Sequence, residues 1–127
     1  LSSSSAASDV YKRQVVDEEY GGLALDEAEG DRIAASVGEA DIVFMKNHGI
    51  MVIGQSVAEA WDDLYYLERA CEAQRLAMST GRPLKVVPPE MAARTYAQMR
   101  EGDRESARLH LESIKRILLQ EAPDFAR

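Results

Sequence analysis

Residues 41–54, DIVFMKNHGIMVIG, constrain the fold of this chain more than any other stretch. Two short apolar, partly β-branched runs, residues 42–45 and 50–53, are joined across Asn47-His48-Gly49. Such a pattern predicts two strands joined by a tight polar turn, with the glycine supplying backbone freedom and room for a close approach. The turn then projects one imidazole from the end of a buried strand pair. The chain has only two histidines, and His48 occupies its most constrained position.

The surrounding sequence reads as helices that cover this pair. Asp26 and Glu29 have the spacing of a capping box, opening a helix that carries Ala28, Ile33, Ala34 and Val37 and stops at Gly38. Gly30 weakens that helix by roughly 1 kcal/mol against alanine, a cost that suits a close approach to a neighbouring element. Ser56 and Glu59 repeat the spacing and start the longest helix, which ends at Gly81 with Pro83 beyond it. Its apolar stripe, Val57, Trp61, Leu64, Cys71 and Met78 with Ala60 and Leu67 alongside, predicts a core-facing surface. Tyr65 and Tyr66 flank the stripe as packing residues, and Cys71 reads as a small buried hydrophobe. Glu68 and Arg75 fall on the same line, so both are expected to be paired or at the edge of an oligomer contact.

Residues 84–89 read as extended, because Pro88-Pro89 bars a helix until the second proline can occupy a first turn. A short helix over 90–101 follows, closed by Gly102. Asp103 is then expected to cap a last helix with the stripe Ala107, Leu111, Ile114 and Leu118, which Pro123 ends. His110 lies on this helix, where ligand companions one turn on would be Ser113 and Ile114. It therefore reads as a half-buried histidine with one hydrogen bond.

The block from Ile42 to Gly81, with its NHG turn, Gly54-x-Ser56 and the helix AEAWDDLYYLERACEAQRLAMSTG, resembles the C-terminal part of the class II aldolase/adducin family. The resemblance runs from about Tyr20 to the C-terminus. It implies a three-layer α/β/α domain, of which a β-hairpin and four helices are represented here. It also implies that His48 is one histidine ligand of a catalytic zinc, or another divalent metal. The family's other ligands come from an upstream His-x-His pair, preceded by an acidic catalytic residue, and residues 15–127 contain neither. The implied chemistry is cleavage of a carbon–carbon bond beside a carbonyl, or related epimerase or decarboxylase chemistry. Its substrate would be a small sugar, sugar phosphate or sugar acid, with a Lewis-acid cation holding the charge that develops. Homo-oligomers, often tetramers, are implied as well. An adducin-like interaction domain that keeps the fold without the chemistry is the alternative.

Residues themselves supply no complete metal site. Zinc needs three or four donors, and His48, His110 and Cys71 are scattered over a turn and two helices. No phosphate-cradling glycine loop or nucleophile elbow is present. A net charge of −7 without a basic stripe argues against nucleic-acid binding. No apolar run approaches the roughly 20 residues of a membrane helix. A single cysteine excludes an internal disulfide and fits a reducing compartment such as the cytoplasm.

Residues 1–14, LSSSSAASDVYKRQ, are serine-rich and aperiodic, and read as a non-native or disordered leader. On that reading residues 15–127 are the C-terminal part of a family domain from an enzyme whose remaining part carries the missing ligands, and this polypeptide alone is inactive. The same reading expects an exposed sheet edge, apolar helix faces and a tendency to associate.

Overall fold

A computed structural model of the chain describes residues 13–23 and 25–126. The leader assigned to residues 1–14 thus lies outside the described residues except at Arg13 and Gln14. Gln14 opens a strand. The chain divides into two compact units, one built on residues up to Ile53 with Pro88–Ala97, the other on Gly54–Val87 with the residues from Gln98 onward.

The first unit holds a three-stranded sheet in the order β1-β2-β3, from β1 (Gln14–Asp17), β2 (Ile42–Met45) and β3 (Gly49–Val52). The predicted hairpin is present: β2 and β3 run antiparallel, with Met45 opposite Gly49 and Ile42 opposite Val52. The sequence reading did not anticipate β1, which pairs parallel to β2 with Gln14 beside Ile42 and Asp17 beside Met45. Parallel neighbours need a crossover, and α1 (Glu27–Val37) supplies it. The start of the pairing is fastened by Ile42 N–H donating to the Arg13 carbonyl at 2.8 Å and by the Arg13–Asp41 ion pair at 2.7 Å.

Asp26 caps α1 as expected, its carboxylate accepting from Glu29 N–H at 2.9 Å, and Gly38 ends the helix at φ 54°. Only that half of the capping box forms, because the Glu29 side chain turns instead to Arg32. Among the described residues Gly30 makes no close approach: a Cβ there would meet none of their atoms outside its own helix within 4 Å. Val37, Ala40, Ile42 and Val43 form the buried core, and Val43, on the strand paired along both edges, has no exposure at all.

The second unit is a helical pair, α2 (Val57–Ser79) and α4 (Asp103–Glu121), followed by a 3₁₀ turn at Pro123–Ala126. The helix α3 (Pro89–Arg100) precedes α4 in the chain. Ser56 caps α2, accepting from Glu59 N–H at 3.2 Å. The expected Asp103 cap does not form. Gly102, left-handed at φ 80°, takes the cap position, so Asp103 is already helical and its carboxylate accepts from Arg100 at 2.6 Å.

The stripe along α2 is covered only in part. Trp61 and Leu67 are half-buried, whereas Val57, Leu64 and Met78 are exposed, and so is Cys71, contrary to the expectation of a buried thiol. Polar and ring contacts to α4 come from Glu59, Asp62, Trp61, Tyr65 and Tyr66 in the first half of α2. Glu68 and Glu72 both pair with Arg69, which keeps these charges at the solvent surface. Among the described residues no helix is long and apolar enough to cross a membrane.

Candidate functional site

Lys46, Asn47 and His48 link β2 to β3, and His48 N–H closes the turn by donating to the Met45 carbonyl at 3.1 Å. Asn47 takes the left-handed conformation, φ 58°, that asparagine tolerates better than most residues. Gly49 leaves the turn at φ 154°. This geometry lifts the His48 side chain clear of the sheet and exposes it.

Parallel pairing brings a second segment to the same place. Asp17 lies beside Met45, so the carboxyl ends of β1 and β2 are neighbours, the end at which open α/β sheets build their sites. Lys46 N–H donates to the Asp17 carbonyl at 3.0 Å, and the Lys46 ammonium reaches Glu18 at 3.1 Å. Two residues on, the Tyr20 ring stands edge-on to the His48 imidazole, with centroids 6.4 Å apart and planes at 69°. In the sequence Tyr20 marked only where the family resemblance begins. Its partner across the sheet was hidden until β1 was placed.

An ion network anchors this end of β1. Asp17, almost fully buried, accepts from Arg32 at 2.8 and 3.0 Å, and Arg32 also donates to Glu29 twice at 2.8 Å. The Arg32 hydrogen bonds hold the Asp17 carboxyl below the usual carboxylate range against burial, which pushes it up. They hold Glu29 below that range too. Glu29 first, and Asp17 second, raise the guanidinium above its ordinary value.

Carboxyls that titrate lower in the native state than in the unfolded one contribute stability above the unfolded value, near pH 4, and lose it as pH falls through the lowered native values. Replacing Arg32 with methionine is thus expected to lower stability at neutral pH. Between about pH 5 and 2 the stability of the variant should fall less than that of the parent chain. Urea midpoints measured across this pH range check both effects.

The second histidine is held as its sequence position suggested, half-buried and with one hydrogen bond. His110 Nδ1 lies 2.6 Å from Asp62 Oδ1, and Asp62 is the buried polar residue of α2. Trp61, Tyr65 and Tyr66 place their ring centroids 4.5, 4.8 and 5.7 Å from the imidazole. Asp62 was not singled out in the sequence. An aspartate inside the cluster Trp61-Asp62-Asp63-Leu64-Tyr65-Tyr66, opposite a histidine beside an apolar stripe, was the available signal.

Zinc held by one histidine alone would lack at least two protein donors. Among the described residues no three His, Cys, Asp or Glu side chains gather where a metal could bind. His48 brings one donor, and the described residues do not make a complete zinc site.

Comparison with known proteins decides the lineage. The model of the class II aldolase and adducin N-terminal domain matches residues 3–75, more than half of the chain, and the match includes the NHG turn and most of α2. The chain belongs to this family. The class II aldolase match begins within the stretch read as a leader. An aldolase-class-2-type protein of Caulobacter vibrioides is 38% identical over 79 residues, 62% of this chain and 31% of its own length. A decarboxylase of Streptomyces niveus is 31% identical over 90 residues, covering 70% of this chain and 33% of its own. Rat alpha-adducin is 34% identical over 76 residues, 58% of this chain and 10% of its own. The crystal structure of an aldolase II superfamily protein from Pseudomonas syringae matches the whole chain at TM-score 0.71 and 29% identity, over 50% of that chain. The mixed α/β class expected from the sequence is therefore the fold of this family. The chain spans about a third of the length of the bacterial curated relatives it matches.

Proposed function

We propose that this chain forms the C-terminal part, residues 15–127, of a metal-dependent class II aldolase-like enzyme, with His48 as one ligand of its metal. Zinc, or another divalent cation, is the metal, and the remaining ligands come from outside the described residues. The substrate is a small sugar, sugar phosphate or sugar acid. It undergoes retro-aldol cleavage or the related epimerase or decarboxylase chemistry that family membership and the Streptomyces niveus relative bring into range. The protein works in the cytoplasm as a homo-oligomer, and this polypeptide alone is inactive.

The observation that carries the reading is the His48 turn. An imidazole that binds a ligand must be reachable and carried on a rigid element. His48 is exposed on a hydrogen-bonded turn between paired strands, at the carboxyl end of the sheet. This chain's own contribution is to present and orient that ring.

Elemental analysis of the longer parent protein, beside its His48→Ala variant, tests the assignment. Near-stoichiometric metal in the parent, lost in the variant, is the expected result. Metal retained in full by the variant would remove His48 from the ligand set.

A second reading has its own support. Rat alpha-adducin is among the relatives. An adducin-like interaction domain would keep the hairpin and helices without the chemistry, and it would leave both proteins of the elemental analysis free of metal.

A further inference from the structure

We infer that Tyr20 is a second residue of the His48 site, a positioning residue whose ring fixes the orientation of the imidazole. The inference rests on the reading of His48 as a ligand-binding side chain and goes beyond it, since nothing in that reading involves the segment after β1.

An exposed side chain on a short turn is free to change rotamer. The backbone at His48 is set by the bond to Met45 and by Asn47, but neither constrains the ring. A binding group that must select one rotamer on ligation loses conformational freedom at that moment, whereas one already held against a neighbour does not. The Tyr20 ring stands beside His48 in an edge-to-face geometry that aromatic groups favour.

That contact is not a chance approach of two loose groups, because the Tyr20 segment is anchored on both sides. Before it, the Asp17 carbonyl accepts from Lys46 of the turn itself, and Glu18 pairs with the Lys46 ammonium. The Asp17 carboxylate is clamped by Arg32 of α1. After it, Gly21 packs so closely on the Glu29 carboxylate that a Cβ would lie 2.9 Å from one oxygen. Glu29 is in turn fixed by the same arginine. The two flanks of Tyr20 are thus tied to one guanidinium, and the first of them also to the turn that carries His48. Tyr20 remains half exposed, so its ring forms an open wall beside the imidazole.

Proton NMR of the 127-residue chain tests the assignment, with His110 as an internal reference in the same molecule. Tyr20→Ala should displace the His48 ring-proton shifts, abolish the contact between the two rings and bring in rotamer averaging at His48. The His110 ring signals should stay in place. Tyr20→Phe keeps the ring without its hydroxyl and should restore the His48 signals. Unchanged His48 signals in Tyr20→Ala, or a Phe variant that behaves like the Ala variant, would overturn the inference. Failure of the ligand reading looks different: it shows as metal kept by His48→Ala in the parent protein, a measurement in which Tyr20 is untouched.

Discussion

Replacing His110 with alanine should lower the stability of the α2–α4 unit by about 3 kcal/mol, the cost of leaving a buried acidic group without its partner. Asp62 is 7% exposed, and the imidazole at 2.6 Å is the hydrogen-bond partner that makes its burial tolerable. The same change removes a ring packed among Trp61, Tyr65 and Tyr66. Trp61 is the only tryptophan of the chain, so its fluorescence reports urea unfolding at the point of damage. A double-mutant cycle separates the pair from the packing. Asp62→Ala combined with His110→Ala should be less damaging than the sum of the two, because the double variant buries neither orphan. Additivity within about 0.5 kcal/mol would show that the two groups are not coupled.

A second large effect is expected at Gly54. A Cβ built there would lie 2.7 Å from the backbone nitrogen of Ala60 and 3.1 Å from its Cα and Cβ. The obstacle is helical backbone in the first turn of α2, which cannot rotate away as a side-chain tip could. Gly54→Ala should therefore destabilise by about 2 kcal/mol, within the range of overpacking substitutions. Gly54 is not among the glycines at positive φ, so the effect is steric and not conformational. Far-UV circular dichroism through a urea titration measures it. A loss below about 0.5 kcal/mol, the level of an ordinary surface change, would mean that the start of α2 shifts freely to make room.

The parts of the fold that were legible in the sequence are those whose signals are local. The hairpin announced itself through two apolar runs around Asn47-His48-Gly49, and both helix starts through an oxygen-bearing side chain three residues before a glutamate. What escaped depends on partners distant in the chain. Gln14–Asp17 is a strand because it lies beside β2, across 28 positions from Arg13 to Asp41, and no turn signal ties the two together. Asp62 and His110 are 48 positions apart, so a search for companions one helical turn from His110 could not find the aspartate. Periodicity predicted which residues of α2 are apolar together, but not whether anything covers them. Val57 and Cys71 lie on the stripe and are nonetheless exposed. Of the candidate site, the turn histidine was readable from sequence, and its aromatic neighbour was not.

The same contrast in sequence separation bears on the order in which the first unit assembles. Closing a loop costs entropy that grows with the logarithm of its length. The β2–β3 hairpin closes across Lys46, Asn47 and His48 alone, whereas β1 can dock only after the whole crossover through α1 has been gathered in. The hairpin is therefore expected to be the early structure, on the microsecond scale typical of such units, and β1 the late one. His48 is set in place by the first event and Tyr20 by the last. A refolding experiment that follows the tyrosine ring would time the completion of the site, not its beginning.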